Sequence, residues 1–131
     1  MRPDPPGPRS PAGGTDPRRS LGARGESLAA RWYERRGYEI LARNWRCRDG
    51  EIDLVLRGDG CIVFTEVKTR TSARFGTGSE SVSPVKQRRI RRLAATWFAQ
   101  SGASDRGSHD GVRFDVVSIT SGRIEVIEGA F

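Results

Sequence analysis

Apolar residues recur at helical spacing in the segment that follows the proline-rich start of the chain. The spacing predicts a first helix over about residues 21–36, with Ser20 as its N-cap and Gly37 as its left-handed stop. The apolar stripe of this helix would consist of Leu21, Leu28 and Trp32. Glu26 falls beside Ala29, Ala30 and Tyr33, on the margin of that stripe rather than opposite it.

Alternating and helical patterns divide the rest of the chain into six further elements. Three strand-like segments come first, at residues 38–44, 51–57 and 61–68. A second helix begins at Ser83 with Pro84 in its first turn and continues to Gly102. Its apolar positions are Ile90, Leu93, Ala94, Trp97 and Phe98. Two more strands, at residues 112–120 and 123–128, complete the order αβββαββ and indicate an α/β fold.

Composition separates a tail from one folded domain. Six of the seven prolines lie in residues 1–19, which predicts a disordered tail, and residues 20–131 would form the domain. The formal net charge of +7 favours a polyanionic partner, nucleic acid before an anionic membrane surface. We expect no membrane span and, without a secretion signal, a cytoplasmic protein. One histidine and two cysteines do not suffice for a zinc site.

The second and third predicted strands carry acidic and basic residues among apolar ones. Period-two alternation puts Glu66 and Lys68 on one face of the third strand, together with Phe64. With a two-residue Gly58-Asp59 loop, Asp53 would lie opposite Phe64, and with a four-residue loop it would lie opposite Glu66. Because both registers have the same parity, each predicts that Asp53, Glu66 and Lys68 share one face.

This trio has the composition of a phosphodiester-cleaving centre. Two neighbouring carboxylates repel each other unless a cation or proton lies between them, and Mg²⁺ prefers oxygen ligands of this kind. A lysine beside them can exchange a proton, which arginine cannot readily do. The chain has 21 arginines and only 2 lysines, so a lysine at position 68 is informative. A surface ion pair on an exposed sheet face is the alternative explanation.

These residues resemble a known motif. The segments Gly50-Glu51-Ile52-Asp53-Leu54 and Phe64-Thr65-Glu66-Val67-Lys68-Thr69-Arg70 are similar to the PD-(D/E)xK motif of restriction-endonuclease-like nucleases, with Ile52 in place of the proline. Additional positions match the YraN family of small uncharacterised bacterial proteins. They are Gly25, Glu26, Ala29, Gly37, Tyr38, Asn44, Lys86 and Ile90. The resemblance covers about residues 21–131.

The resemblance implies a fold and a site. The fold would be a restriction-endonuclease-like core, with a mixed central sheet flanked by helices, similar to archaeal Holliday junction resolvases. Asp53, Glu66 and the Val67 carbonyl would bind Mg²⁺ or Mn²⁺, Lys68 would be the catalytic base partner, and Glu26 would be an additional carboxylate from helix one. Resolvase relatives act as symmetric dimers, so a homodimer is a further expectation. Arg91 stands where helicase-type nucleases have a tyrosine, which argues against that type of site.

A basic segment on the second helix predicts a nucleic-acid-binding surface. Five of seven consecutive positions are basic there, and no acid lies between Ser81 and Gly102. The residues are Lys86, Arg88, Arg89, Arg91 and Arg92. Arg70 and Arg74 follow the proposed centre and could add phosphate contacts. Trp45, in the loop before Asp53, could stack on a base or simply pack against the core.

The sequence therefore supports three functional hypotheses. The first is a metal-dependent endonuclease that hydrolyses DNA or RNA phosphodiesters, with DNA favoured and with selectivity for structure rather than base sequence. The second is a non-catalytic nucleic-acid-binding module on a nuclease scaffold. The third is a protein-interaction domain that binds no nucleic acid.

Overall fold

A computed structural model describes residues 17–70, 82–106 and 111–131. It shows an α/β fold of two helices and five strands within these ranges, as the sequence predicted. The elements, in chain order, are α1 (Pro17–Arg35), β1 (Glu39–Cys47), β2 (Gly50–Gly58), β3 (Cys61–Arg70), α2 (Pro84–Arg106), β4 (Gly111–Thr120) and β5 (Arg123–Ile127). In these ranges, neither helix combines the length and the apolar character needed to cross a membrane.

The strands form one mixed sheet in the order β1-β2-β3-β4-β5. Only β3 and β4 run parallel, and α2 connects them, as a parallel crossover requires. Two apolar clusters cover opposite faces of the sheet. Ile62 and Phe64 pack with Trp97 of α2, whereas Val63 between them packs with Tyr33 of α1. The sheet is therefore a middle layer with one helix on each face.

Helix α1 begins earlier, and buries a partly different face, than the sequence analysis predicted. It starts at Pro17, inside the predicted tail, because proline is well tolerated at the first position of a helix. Its buried residues are Ala29, Ala30 and Tyr33, whereas Leu28 of the predicted stripe is 36% exposed. Trp32 of the predicted stripe packs against the same cluster as these residues, so the predicted stripe is partly correct. Glu26 lies one turn before Ala29 and Ala30, on the sheet-facing side.

Helix α2 has the predicted start and the predicted core face. Ser83 caps it, since the Ser83 Oγ accepts a 3.1 Å hydrogen bond from the Lys86 backbone N–H. The buried residues of this helix are Ile90, Leu93, Ala94 and Trp97. The helix continues to Arg106 rather than ending at Gly102.

The loop between β2 and β3 differs from both predicted loops. It contains two residues, Asp59 and Gly60, and Gly58 pairs with Cys61 on either side of it. Both loop residues have positive φ, 53° and 74°, as in a type I′ turn. The resulting register would place Asp53 opposite Glu66 if the pairing continued that far.

A buried polar network joins α1 to β4. The carboxylate of Asp115, which is fully buried, accepts hydrogen bonds from the Tyr33 hydroxyl at 2.7 Å and from Nε of Arg113 at 2.8 Å. The Gly129 backbone N–H donates to the same carboxylate at 3.0 Å. Because the charge of Asp115 is paired and hydrogen-bonded, the sheet can hold an acid at its centre.

Candidate metal centre

The sheet opens into a fork at Asp53. Pairing between β2 and β3 ends at Leu54 and Thr65, although β3 continues beside β4 as far as Arg70. Strand β2 meanwhile remains paired with β1 to its first residue, Gly50. The β1–β2 hairpin therefore separates from β3 at Asp53, the residue before the last paired position of β2. The separation creates room for side chains between the two strands.

A kink in both strands of that hairpin accompanies the fork. Ile52 and Val55 pack on the α2 side, whereas Leu54 packs on the α1 side, so strict alternation along β2 is broken between positions 52 and 54. On β1, Asn44 has a left-handed φ of 51° and is absent from the paired register. The sequence analysis assumed unbroken alternation through Asp53, and the structure corrects that assumption.

Asp53 lies in the fork with a backbone donor and three acids around it. Its Oδ2 accepts a 2.7 Å hydrogen bond from the Val67 backbone N–H. Burial raises its pKa from 3.8 to about 7, the Val67 hydrogen bond opposes this rise, and the charges of Glu66, Glu26 and Glu51 add to it. A carboxylate in this setting is stabilised by a proton or by a cation.

Glu26 and Glu51 converge on Asp53 from two different elements. One carboxylate oxygen from each of the three residues lies within 4.8 Å of the other two. Glu26 comes from the sheet-facing side of α1, and Glu51 precedes Asp53 by two residues on β2. Arg46 forms a 3.0 Å ion pair with Glu51 at the exposed edge of the group. Three acids at this distance repel each other, so the arrangement favours a bound cation.

Glu66 lies on the other side of the fork between two lysines. Its Oε2 is 2.6 Å from Nζ of Lys86 and 3.6 Å from Nζ of Lys68. Burial lowers the pKa of Lys68, and the nearby charge of Lys86 contributes, while Glu66 opposes the decrease. Burial also acts to lower the pKa of Lys86, but the hydrogen bond and charge of Glu66 outweigh it and the pKa is raised. The two ammonium groups therefore differ, and Lys68 releases its proton more easily.

The structure thus brings together the four residues that the sequence analysis proposed as catalytic, Asp53, Glu66, Lys68 and Glu26. It adds two that the sequence analysis did not assign to the centre, Glu51 and Lys86. Both had a usable signal. Glu51 is the other acid of the Gly50–Leu54 motif segment, and Lys86 is the second of only two lysines in the chain, both of which contact Glu66.

The structure separates Lys86 from the arginines with which it was grouped. Lys86 lies four residues before buried Ile90, so it faces the sheet. The arginines of that segment, Arg88, Arg89, Arg91 and Arg92, are exposed. Arg91 also packs over the Phe114 ring, with its guanidinium carbon 4.9 Å from the ring centroid.

The remaining predicted contacts have mixed outcomes. Arg70 is the last residue of β3 and is half-buried, and Arg74 lies outside the described residues. Trp45 lies in β1, not in a loop, and packs against the core cluster under α2. Of the two alternatives given for Trp45, the structure shows the packing contact.

The acid group has dimensions that fit a hard divalent cation. Mg²⁺ binds oxygen at about 2.1 Å, so two ligands on opposite sides of the ion are about 4.2 Å apart. The oxygens of Glu26, Glu51 and Asp53 already lie within 4.8 Å of one another. Neighbouring ligands of the same ion are about 3.0 Å apart, so side-chain movements of up to about 2 Å would bring the three oxygens to coordination distance. The set is made entirely of oxygen, which suits Mg²⁺ or Mn²⁺ better than zinc.

The fold and this centre define an α/β protein with an acid and lysine cluster in a forked mixed sheet. The profile of the uncharacterised protein family UPF0102 matches residues 25–119, and the chain belongs to this family. This membership supports the resemblance to the YraN family.

Individual relatives are similar over nearly their whole length. A UPF0102 protein of Geobacter metallireducens is 50% identical over 111 residues, which cover 84% of this chain and 88% of that protein. One from Mycolicibacterium vanbaalenii is 47% identical, with coverage of 88% and 92%. One from Acidothermus cellulolyticus is 44% identical, with coverage of 92% and 99%.

Proposed function

We propose that this protein is a metal-dependent endonuclease that hydrolyses nucleic-acid phosphodiesters and that its fold is restriction-endonuclease-like. The observation that supports the proposal most directly is the convergence of Glu26, Glu51 and Asp53 beside the lysine pair on Glu66. A structural ion pair would need one acid and one base. Four acids and two lysines from α1, β2, β3 and α2 exceed that need and match the requirements of phosphoryl transfer.

Each side of the fork would have its own task. Asp53 and the two acids near it would bind Mg²⁺ or Mn²⁺, which when bound neutralises the acids and withdraws charge from the scissile phosphate. Glu66 lies close enough to Asp53 to raise its pKa, so it can join the ligand set if Lys86 moves aside. The Val67 carbonyl would remain a candidate ligand, since the N–H of the same residue positions Asp53.

Lys68 would transfer the proton in this reaction. It is 16% exposed, and burial lowers its pKa toward the range in which a lysine can accept a proton from water. Lys86 would hold Glu66 in place and provide positive charge near the developing phosphorane. This division of labour follows from their different surroundings, because Lys86 has the shorter contact with Glu66.

A cleavage panel tests the proposal. Purified protein would be incubated with Mn²⁺ and labelled junctions, flaps, single strands and paired duplexes of DNA and RNA. We expect cleavage of at least one substrate, loss of cleavage in EDTA, and loss in both Asp53→Asn and Lys68→Ala with binding retained. Asp59→Asn is the control, because Asp59 is exposed, lies in the β2–β3 turn and pairs with Arg113 rather than with a residue of the centre. Binding without any cleavage by the wild type would refute the proposal.

A non-catalytic binding module is the second candidate, and the exposed arginines of α2 favour it. The exposed charge of Arg88, Arg89 and Arg92 can bind phosphates whether or not the metal centre is catalytically active. This candidate predicts that the protein binds nucleic acid in a salt-sensitive manner and cleaves no substrate of the panel. DNA is the favoured partner in both cases.

A further inference from the structure

We infer that a pocket beside the fork accepts an unpaired nucleobase next to the scissile phosphate, so that the substrate is nucleic acid with an extrahelical or single-stranded nucleotide. This inference rests on the proposed function and specifies its substrate. The pocket has a volume of about 320 Å³ and lies between the middle of α1, the end of β3 and the β4–β5 turn. A volume of this size falls at the lower end of the range for small-ligand sites.

The pocket lies next to the proposed centre on the α1 side of the sheet. Gly25 and Thr69 line it, and each is the neighbour in sequence of a residue in the fork, Glu26 on α1 and Lys68 on β3. Neighbouring Cα atoms are about 3.8 Å apart, so the pocket begins within one residue of Glu26 on α1. Thr69 faces α1 and Lys68 faces α2, because side chains alternate along a strand, so the pocket lies on the α1 face of the sheet and the lysines on the other.

The close approach of Gly25 to β3 shapes the pocket. A Cβ at position 25 would collide with Oγ1 of Thr69, so only glycine allows α1 to approach the strand this closely. Gly122 on the opposite wall also lacks a side chain. Thr69 covers Gly25, whereas nothing lies within 4 Å of the Cβ position of Gly122, so the backbone of Gly122 is the part of the wall that a flat ring can approach closely.

The chemistry of the lining matches a base better than a free phosphate. Leu28 and Ile119 contribute apolar surface, and Leu28 is one of the large apolar side chains that remain exposed in the described part of the chain. Arg24 contributes a guanidinium that can stack on a ring or donate to a base edge. An apolar floor with an arginine rim suits an aromatic heterocycle that is attached to a phosphate.

Base pairing would exclude the base from this pocket. In a duplex each base is stacked and paired, so moving it into the pocket costs unstacking and unpairing free energy. This cost is smaller for a mismatched, bulged or single-stranded base. The pocket would therefore select structure without reading base sequence.

The test is a binding comparison in EDTA, where no cleavage occurs. The affinity for a DNA duplex with one unpaired nucleotide is measured against that for the same duplex fully paired, with 2-aminopurine at the unpaired position as a fluorescence reporter. We expect the wild type to prefer the unpaired substrate by about fivefold or more. We expect Leu28→Glu to bring the ratio of the two affinities close to one and Arg24→Ala to lower it.

The matched control is Val112→Glu, which adds the same charge at another exposed apolar residue, on β4, that does not line the pocket. This variant should keep the preference even if it weakens both affinities. No preference in the wild type, or equal loss in Leu28→Glu and Val112→Glu, would overturn the inference. A preference without cleavage in Mn²⁺ would instead refute the proposed nuclease and leave the pocket, so the two failures are distinguishable.

Discussion

Val67 donates its backbone N–H to Oδ2 of Asp53 over 2.7 Å, just beyond the last pair of residues that β2 and β3 share. A side chain thus replaces the strand partner that Val67 lacks at the fork. The same contact fixes the orientation of Asp53 and provides one hydrogen bond to a carboxylate that burial would otherwise keep protonated. Asparagine can accept the same hydrogen bond, which makes Asp53→Asn an informative substitution.

Asp53→Asn should stabilise the metal-free protein above pH 7. The folded pKa of Asp53, about 7, exceeds its ordinary 3.8, so the native state binds more protons between these pH values. Stability from this group is therefore highest near pH 4, falls as the pH rises to about 7, and is constant above that. The gain for Asp53→Asn at pH 8 should be a few kcal/mol and no more than ~4 kcal/mol, because each pKa unit corresponds to ~1.4 kcal/mol.

Urea unfolding in EDTA at pH 5 and pH 8 measures this effect. The difference between wild type and variant isolates Asp53, since other titrating groups are common to both proteins. A stability difference that is the same at both pH values would show that the folded pKa of Asp53 is not raised.

Divalent metal should stabilise the wild type against heat. A ligand present at 100 times its Kd contributes ~2.7 kcal/mol, which corresponds to several degrees for a domain of this size. Glu26→Gln removes one of the three converging carboxylates and should lose most of this Mn²⁺-dependent rise in melting temperature. Glu125→Gln, a substitution of an exposed acid on β5, should retain it. An equal rise in both variants would exclude Glu26 from the metal site.

The two lysines should tolerate arginine differently. Lys68→Arg keeps the charge but not a group that can release a proton, so we expect the single-turnover cleavage rate to fall by about 100-fold or more. Lys86→Arg can preserve the ion pair with Glu66 and should cost less than about tenfold. Equal losses in the two variants would contradict the separate roles that we propose for them.

Much of the fold follows from local patterns in the sequence. The two helices, the five strands and the core face of α2 each depend on periodicity within one element, and the structure shows them close to where the sequence places them. The apolar stripe predicted for α1 was only partly correct, because periodicity within this helix does not determine which face is buried. Alanines and a tyrosine form its buried face, and Leu28 is left partly exposed, because the α1 face is chosen by its contact with the sheet.

The candidate site could be predicted only in part for a related reason. Parity along β3 correctly places Glu66 and Lys68 on one face, since that strand is regular. Alternation is broken near Asn44 and Asp53, where β2 also stops pairing with β3. This irregularity depends on contacts between elements, so the pattern within one strand does not predict it. The sequence analysis therefore assigned Glu51 no role, although its carboxylate lies within 4.8 Å of those of Glu26 and Asp53.

The buried acid on β4 should matter for stability far more than its exposed counterpart. Asp115 and Asp59 both pair with Arg113, at 2.8 Å and 3.2 Å, but only Asp115 is buried. Asp115→Asn breaks a buried ion pair and replaces one carboxylate oxygen with an amide donor, which then faces either the Tyr33 hydroxyl at Oδ2 or the Gly129 N–H at Oδ1, so we expect a loss of ~3 kcal/mol. Asp59→Asn should cost less than ~1 kcal/mol. Urea unfolding of both variants measures the difference, and similar losses would contradict the importance of burial here.

The arginines of α2 should control the salt dependence of nucleic-acid binding. Arg88 and Arg92 are exposed and four residues apart, so they share one face of the helix and can contact neighbouring phosphates. Arg91 is left intact in this experiment because its guanidinium packs on Phe114 and Phe131, and its loss would disturb the fold as well as the surface.

Arg88→Gln with Arg92→Gln should flatten the slope of log K against log salt by up to about 1.8, since each phosphate contact contributes about 0.9. Arg35→Gln with Arg123→Gln removes the same charge from exposed positions on α1 and β5 and should change the slope less. Titrations of one DNA at several salt concentrations give both slopes. If the two double variants flatten the slope equally, the attraction comes from net charge, and α2 is not the binding surface, because a contact surface must depend on where its charges lie.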